Sequence, residues 1–231
     1  MKKYSKKHRK ALATVEKDVI LPVSDALSKV VTTAYAKFDE SVTANIMLGI
    51  DPEKGEQAVR GTLVLPHFFG KPVRVIAFAK GDQAEQALKE GAVAVGAEDL
   101  VEKILGGWME FDTAVATPDL MGLVGKTAKI LGPRGMLPNK KNNTVALDLA
   151  PIIRELKSGL LFFKNDKQGQ VNFTFGKVSL GVEKLQENLH SFLGVLSASR
   201  PEKAKGIFLK KISVSSTMGP GFALDTSVLN K

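Results

Sequence analysis

The 231-residue chain has no cysteine, a single tryptophan, two tyrosines and three histidines. Without cysteine there is no disulfide framework and no thiolate chemistry, so a reducing compartment fits. His8, His67 and His190 lie too far apart in sequence to propose a metal site, and no metal or other cofactor is expected. No stretch reaches the roughly 18 apolar residues that a membrane span needs, and the basic start "MKKYSKKHRK" has no apolar segment behind it. The expectation is a cytoplasmic protein with no membrane partner. The chain does have 44% apolar residues, enough for a substantial core, and a net charge of +9. An excess of cations points to a polyanionic partner when the charge is unevenly placed.

Placing the charge requires domain boundaries. From Lys71 short apolar strands alternate with helices: "KPVRVIAFA", "GDQAEQALKEGA", "AVAVG", "AEDLVEKILGGW", "FDTAVATP", "LMGLVGKTAKIL", closed by the helix "APIIRELKSG". This alternation predicts a Rossmann-like α/β domain with a parallel sheet over residues 67–158. On either side the pattern changes. Leu12 to Phe38 reads as mostly helical, broken at Pro22, and "SVTANIMLGI" alternates like a half-buried strand. After Gly159, "LLFFKND" and "QVNFTFG" around "KQG" predict a hairpin, followed by the helix "GVEKLQENLHSFLGVL" and the strand "GIFLKKISVSST". Residues 1–66 and 159–231 are therefore expected to form one discontinuous α+β domain with an antiparallel sheet, the α/β domain being inserted into it. The inserted segment carries 12 Lys/Arg against 11 Asp/Glu, and the outer pieces 21 against 13. The outer domain owns the basic character. Its leading "KKYSKKHRK" reads as an arm for phosphates or as a solubilising tail.

Enzyme motifs fail on inspection. A phosphate-cradling G-x-x-x-x-G-K-[ST] loop ending at Gly125-Lys126-Thr127 would need glycine at position 120, where Leu120 stands. No nucleophile elbow accompanies the scattered Ser, His and Asp residues, so no catalytic residues are expected. "GPRGMLPNKKNN" projects Arg134, Lys140 and Lys141 from a nearly neutral domain and reads either as a solvated turn or as a second RNA or tRNA contact.

The sharpest signal is parity. In a strand residues two apart share a face, so Val42, Ala44, Ile46 and Leu48 point inward and Ser41, Thr43 and Asn45 outward. Ile212 and Val214 oppose Lys211, Ser213, Ser215 and Thr217, and Val171, Phe173 and Phe175 oppose Asn172 and Thr174. Three strands thus turn hydroxyls and amides to one side. The aromatics fall on the buried parity, which argues against base stacking on the sheet and for shape recognition of a folded RNA through its 2′-hydroxyls and sugar edges.

The segments "KFDESV", "VRGTLVLPH", "VATPDLMG", "LGPRGMLPN", "FKNDKQGQV", "GKVSL" and "SSTMGPG" resemble, in order and over nearly the whole chain, the bacterial large-subunit ribosomal protein L-one family. The resemblance implies a non-enzymatic protein of the mobile stalk near the ribosomal exit site, monomeric outside the ribosome. Its split domain would bind large-subunit ribosomal RNA, assist movement and release of deacylated tRNA, and repress translation of its own messenger. It further implies RNA contacts at Lys37, Phe38, Glu40 and Ser41, at Lys164, Asp166 and Lys167, at Ser179, and at Thr217, Met218 and Gly219. Lys37, Lys164 and Lys167 would meet phosphates, whereas Ser41 and Thr217 would bond 2′-hydroxyls or base edges. Glu40 and Asp166 would accept a hydrogen bond from a base, a sugar or a lysine. Phe38 reads equally as a core residue. Met218 would offer an apolar contact, Gly219 close approach of the backbone, and Pro220 the end of strand pairing. The chain departs from the family in "HFFGK", where a glycine-rich segment is usual, and in "KKNN" after Asn139, where a proline-containing loop is usual. Alternatives are an RNA-binding regulator or chaperone outside the ribosome, and a nucleotide-using α/β protein.

Overall fold

The computed structural model describes residues 5–13, 15, 19–52, 55–204 and 206–225. The chain divides into two compact units, residues 1–69 with 162–231 and residues 70–161. The first unit begins with helix α1 (Lys6–Ala13), the short strand β1 (Ile20–Leu21), helix α2 (Val23–Thr33), and strands β2 (Ser41–Leu48) and β3 (Arg60–Val64). Pro22 occupies the N-cap of α2 with φ −58°, where its missing N–H removes nothing from the helix. The helical reading of Leu12 to Phe38 stops early: α2 ends at Thr33, and residues 34–40 form a loop.

The second unit contains β4 (Val75–Phe78), α3 (Asp82–Lys89), β5 (Ala94–Gly96), α4 (Glu98–Leu105), β6 (Thr113–Ala116), α5 (Met121–Val124), α6 (Ala128–Leu131) and α7 (Ala150–Lys157). The three strands are parallel in the order β5-β4-β6. Each face of the sheet buries its own cluster. Val75 and Ala77 pack with Ala87 of α3 and Ile152, Ile153 and Leu156 of α7; Ile76, Phe78, Ala114 and Ala116 pack with Leu100, Val101 and Ile104 of α4 and with Val124 and Leu131. Strands covered on both faces read as unbroken apolar runs, as "VIAF" does. The helix expected over "LMGLVGKTAKIL" is instead broken by a 3-10 turn at Gly125–Thr127. Two glycines weaken helical continuity there, and the Thr127 hydroxyl donates to Val124 O at 2.8 Å.

The chain re-enters the first unit along β7 (Leu160–Lys164) and continues through β8 (Gln170–Lys177), α8 (Val182–Ala198), β9 (Leu209–Ser216) and β10 (Gly221–Leu224). The main sheet has the order β1-β10-β9-β2-β8. Its pairs are antiparallel, as expected, except that the two-residue β1 runs parallel to β10. The fold is mixed, with antiparallel and parallel sheets.

Apolar positions of α2 (Ala26, Leu27, Val30) and of α8 (Leu185, Leu189, Phe192, Leu193, Leu196) recur at helical spacing and are buried, together with the inward parity of β2, β8 and β9. Phe192 of α8 stacks on Phe173 of β8, centroids 3.9 Å apart, and Phe163 meets Phe192 edge-on.

The hairpin expected between "LLFFKND" and "QVNFTFG" is reduced to one bridge, Asn165 with Val171. β7 pairs with β3 and β8 with β2. The cause is Asn165, which is buried. Its N–H donates to Val59 O and its Oδ1 accepts from Val59 N–H, both at 2.9 Å, drawing β7 towards a segment more than 100 residues earlier.

Candidate nucleic-acid interface

The face of the main sheet turned away from α2 and α8 carries the polar parity. Registers place Thr43 of β2 between Ser215 of β9 and Thr174 of β8, and Asn45 between Ser213 and Asn172. One row further Met47 stands between Lys211 and Gln170. All of these side chains are half-buried or exposed. They are also cross-linked: Thr43 Oγ1 donates to Ser215 O at 3.3 Å, and Asn45 Nδ2 donates to Asn172 Oδ1 and to Gln170 Oε1. Such pairs fix the orientation of the groups presented while leaving lone pairs and protons for a ligand.

One end of this face is closed by the loop before β2 and the turn after β9. Lys37 is exposed, and Phe38 is 56% exposed, which excludes the core alternative for it. Met218, at 49%, is likewise open. Three successive residues fasten the loop. Asp39 Oδ1 and Oδ2 accept from the N–H and hydroxyl of Ser179 at 3.1 and 2.8 Å, and Lys177 Nζ stands 3.8 Å from Oδ2. Glu40 Oε1 accepts from the N–H of Tyr35 (3.0 Å) and Ala36 (2.8 Å), while Oε2 accepts from Ser216 Oγ (2.6 Å) and the N–H of Met218 (3.0 Å). The Ser41 N–H donates to Thr217 Oγ1 at 3.0 Å, and that hydroxyl lies 3.2 Å from Ser41 O, to which it donates. Burial pushes the Glu40 carboxyl up; the hydrogen bonds from Ser216, Ala36, Met218 and Tyr35 outweigh it and hold the group below the ordinary glutamate range.

These contacts revise several expected roles. Glu40 is only 1% exposed, so it holds the loop rather than offering itself to a base or sugar. The Thr217 hydroxyl is already engaged at Ser41. Gly219 has an internal reason to lack a side chain: a Cβ there would lie 2.4 Å from Ser216 Oγ, which accepts the Gly219 N–H at 3.2 Å. Pro220 does not end pairing, because the chain turns and β10 pairs back onto β9. Sequence reasoning missed Asp39, Lys177 and Ser216 as organisers. It also missed His8, whose Nδ1 lies 3.3 Å from Met218 O and 3.4 Å from Tyr35 OH and so ties α1 to the same turn. The side chains of Lys6, Lys7 and Lys10 are exposed on α1, and Lys2 and Lys3 of the expected arm lie outside the described residues.

The turn Lys164–Gly169 sits at the other end of the face, since Gln170 pairs with Met47 and Lys177 with Ser41. At about 3.3 Å per residue the intervening strand spans roughly 20 Å, so the two clusters of expected contacts do not converge on one point. Lys164 and Lys167 are exposed. Asp166 Oδ1 accepts from the N–H of Gln168 and of Gln170, both at 2.9 Å, and shapes the turn. In the second unit Arg134 and Lys140 are exposed, the latter on a 3-10 turn (Lys140–Asn142); the side chain of Lys141 lies outside the described residues. Among the described residues no three potential metal ligands come together, and no helix is long and apolar enough to cross a membrane.

Residues 30–220 match the family described as Ribosomal protein L1p/L10e. Over all 231 residues the chain is 46% identical to the "Large ribosomal subunit protein uL1" of Nitratidesulfovibrio vulgaris (strain DSM 19637 / Miyazaki F), covering 98% of that protein. A likeness of this extent, spanning both compact units, settles descent: the chain belongs to the ribosomal protein L1p/L10e family of structural, non-enzymatic ribosomal proteins.

Proposed function

We propose that the first unit binds large-subunit ribosomal RNA across its open sheet face, with the Phe38–Ser41 and Thr217–Gly219 rim at one end and the Lys164–Lys167 turn at the other. Family membership makes the chain a constituent of the large ribosomal subunit in the cytoplasm. The observation that carries the reading is the uncovered polar face. Hydroxyls and amides that both donate and accept are held in fixed orientation there, flanked by exposed Lys37, Lys164, Lys167 and Lys211, in the part of the chain that holds the cationic excess. With no aromatic ring on the sheet's open parity, the face suits a folded RNA rather than stacked single-stranded bases.

The finer functions extend the same reading. The protein assists the movement and release of deacylated tRNA beside the exit site, with Arg134, Lys140 and Lys141 of the second unit as cationic contacts. It represses translation of its own messenger by presenting the same face to a similar RNA fold, and outside the ribosome it acts as a monomer.

Chemical footprinting on purified large-subunit ribosomal RNA tests the core of this. One compact protected region is expected, competed by the 5′ leader of the protein's own messenger. A footprint that is absent, or scattered without a preferred site, overturns the RNA assignment. Exclusion of the protein from large subunits on sedimentation at physiological salt would return it to the class of regulators outside the ribosome.

A further inference from the structure

Glu40 is the one acidic side chain among the described residues with almost no exposure, and it is placed where a repulsive charge would be least useful to an RNA ligand. Its two oxygens join four groups from two distant parts of the chain. Oε1 gathers the N–H groups of Tyr35 and Ala36, which begin the loop carrying Lys37 and Phe38. Oε2 gathers Ser216 Oγ and the Met218 N–H from the turn after β9. Ser216 Oγ in turn accepts from the Gly219 N–H, so the carboxylate fixes both halves of the rim through one five-bond network. The Ser41–Thr217 bonds and the His8 contacts also cross between loop and turn at more exposed positions; the carboxylate is the buried link between the segments that carry exposed Phe38 and exposed Met218.

We infer that Glu40 is a positioning residue for RNA recognition: its buried carboxylate locks the Tyr35–Phe38 loop to the Ser216–Gly219 turn before RNA arrives, without touching the ligand. This rests on the RNA-binding reading above and adds to it a division of labour. The exposed cations supply the salt-dependent attraction, and the carboxylate supplies the geometry on which the salt-independent part of the affinity depends. Glu40→Gln separates the two. The amide keeps nearly the same shape, yet one of its ends becomes an N–H₂ group that cannot accept. Whichever way the amide is turned, at least one backbone N–H now faces a donor.

The experiment measures binding of full-length protein to purified large-subunit ribosomal RNA at several salt concentrations, well below the melting temperature of every variant. It also follows amide hydrogen exchange at Ala36, Met218 and Gly219. For Glu40→Gln the expected result is about tenfold weaker binding, an unchanged slope of log affinity against log salt, and faster exchange at the amides that lost their acceptor. Lys167→Ala is the contrast, with a slope lowered by about one unit and no change in exchange at the rim. Native-like affinity in a folded Glu40→Gln protein whose Met218 amide has lost protection would overturn the inference, as would a loss confined to the salt slope. Should that variant not fold, Ser216→Ala, which removes one donor to the carboxylate and the acceptor of Gly219, is read by the same criteria. Failure of the native protein to bind this RNA would sink the functional reading, and the inference with it.

Discussion

The two hydrogen bonds between the Thr217 hydroxyl and the Ser41 backbone close the rim on its solvent side. Thr217→Val retains the shape of the side chain and removes both bonds, leaving an N–H and a carbonyl that water can reach. The expected cost is about 1 kcal/mol of stability, read as a lower melting temperature, together with weaker RNA binding. A variant with unchanged melting behaviour would mean that the hydroxyl is free. Glu40 makes a pH prediction at the same scale. Its folded pKa lies below the ordinary value of 4.5, so its contribution to stability is fully present above that pH and is lost as pH falls through the folded value. Between pH 4.5 and the acid transition the native protein should lose stability more steeply than Glu40→Gln, which has no carboxyl to titrate. Parallel curves from denaturant titrations across this range would contradict the four-bond arrangement.

At the scale of elements, β8 and α8 meet at Gly176. A Cβ there would lie 2.3 Å from Leu185 Cδ2 and 3.1 Å from Leu180 Cδ1, inside a packed interior. Gly176→Ala should therefore destabilise by about 1–3 kcal/mol in equilibrium unfolding, while the salt slope of RNA binding stays as it was. How much of the fold could be read beforehand follows from the range of the forces involved. The inward and outward parity of β2, β8 and β9 was legible because alternation is written locally and each strand has one covered face. The strands of the second unit and its helices α3, α4 and α7 were legible for a similar reason, as apolar runs bounded by helix starts, whereas the break at Gly125–Thr127 was not. The Asn165–Val59 pairing was not, because a single buried side chain redirects β7 to a partner far away in sequence. β10 escaped because Gly-Pro-Gly reads as a stop, and only the register with β9 reveals a turn. In the candidate site the exposed lysines and the hydroxyl rows were visible in the sequence. The burial of Glu40 was not: its four donors come from two segments about 180 residues apart, and "FDES" alone looks like an exposed acidic pair.

For the whole molecule, the division of charge and the division of cores point the same way. Residues 70–161 hold 12 Lys/Arg against 11 Asp/Glu, and their two apolar clusters draw only on residues 73–160. The remaining chain holds 21 against 13 and has its own core between the main sheet, α2 and α8. Because β3 and β7 are neighbours in one sheet, the chain leaves and re-enters the first unit along adjacent strands, and a short flexible linker can replace residues 70–159, leaving both strands whole. Nothing in the polar face or its rim is removed by that replacement. The shortened protein is expected to unfold in a single cooperative transition and to bind large-subunit ribosomal RNA within about tenfold of the full chain, a difference of about 1.4 kcal/mol. Its salt slope should be nearly unchanged, since Lys37, Lys164, Lys167 and Lys211 all remain. If the shortened protein folds but loses the RNA, the second unit must supply contacts that the near-neutral charge of its sequence does not announce, and the assignment of RNA recognition to the first unit fails.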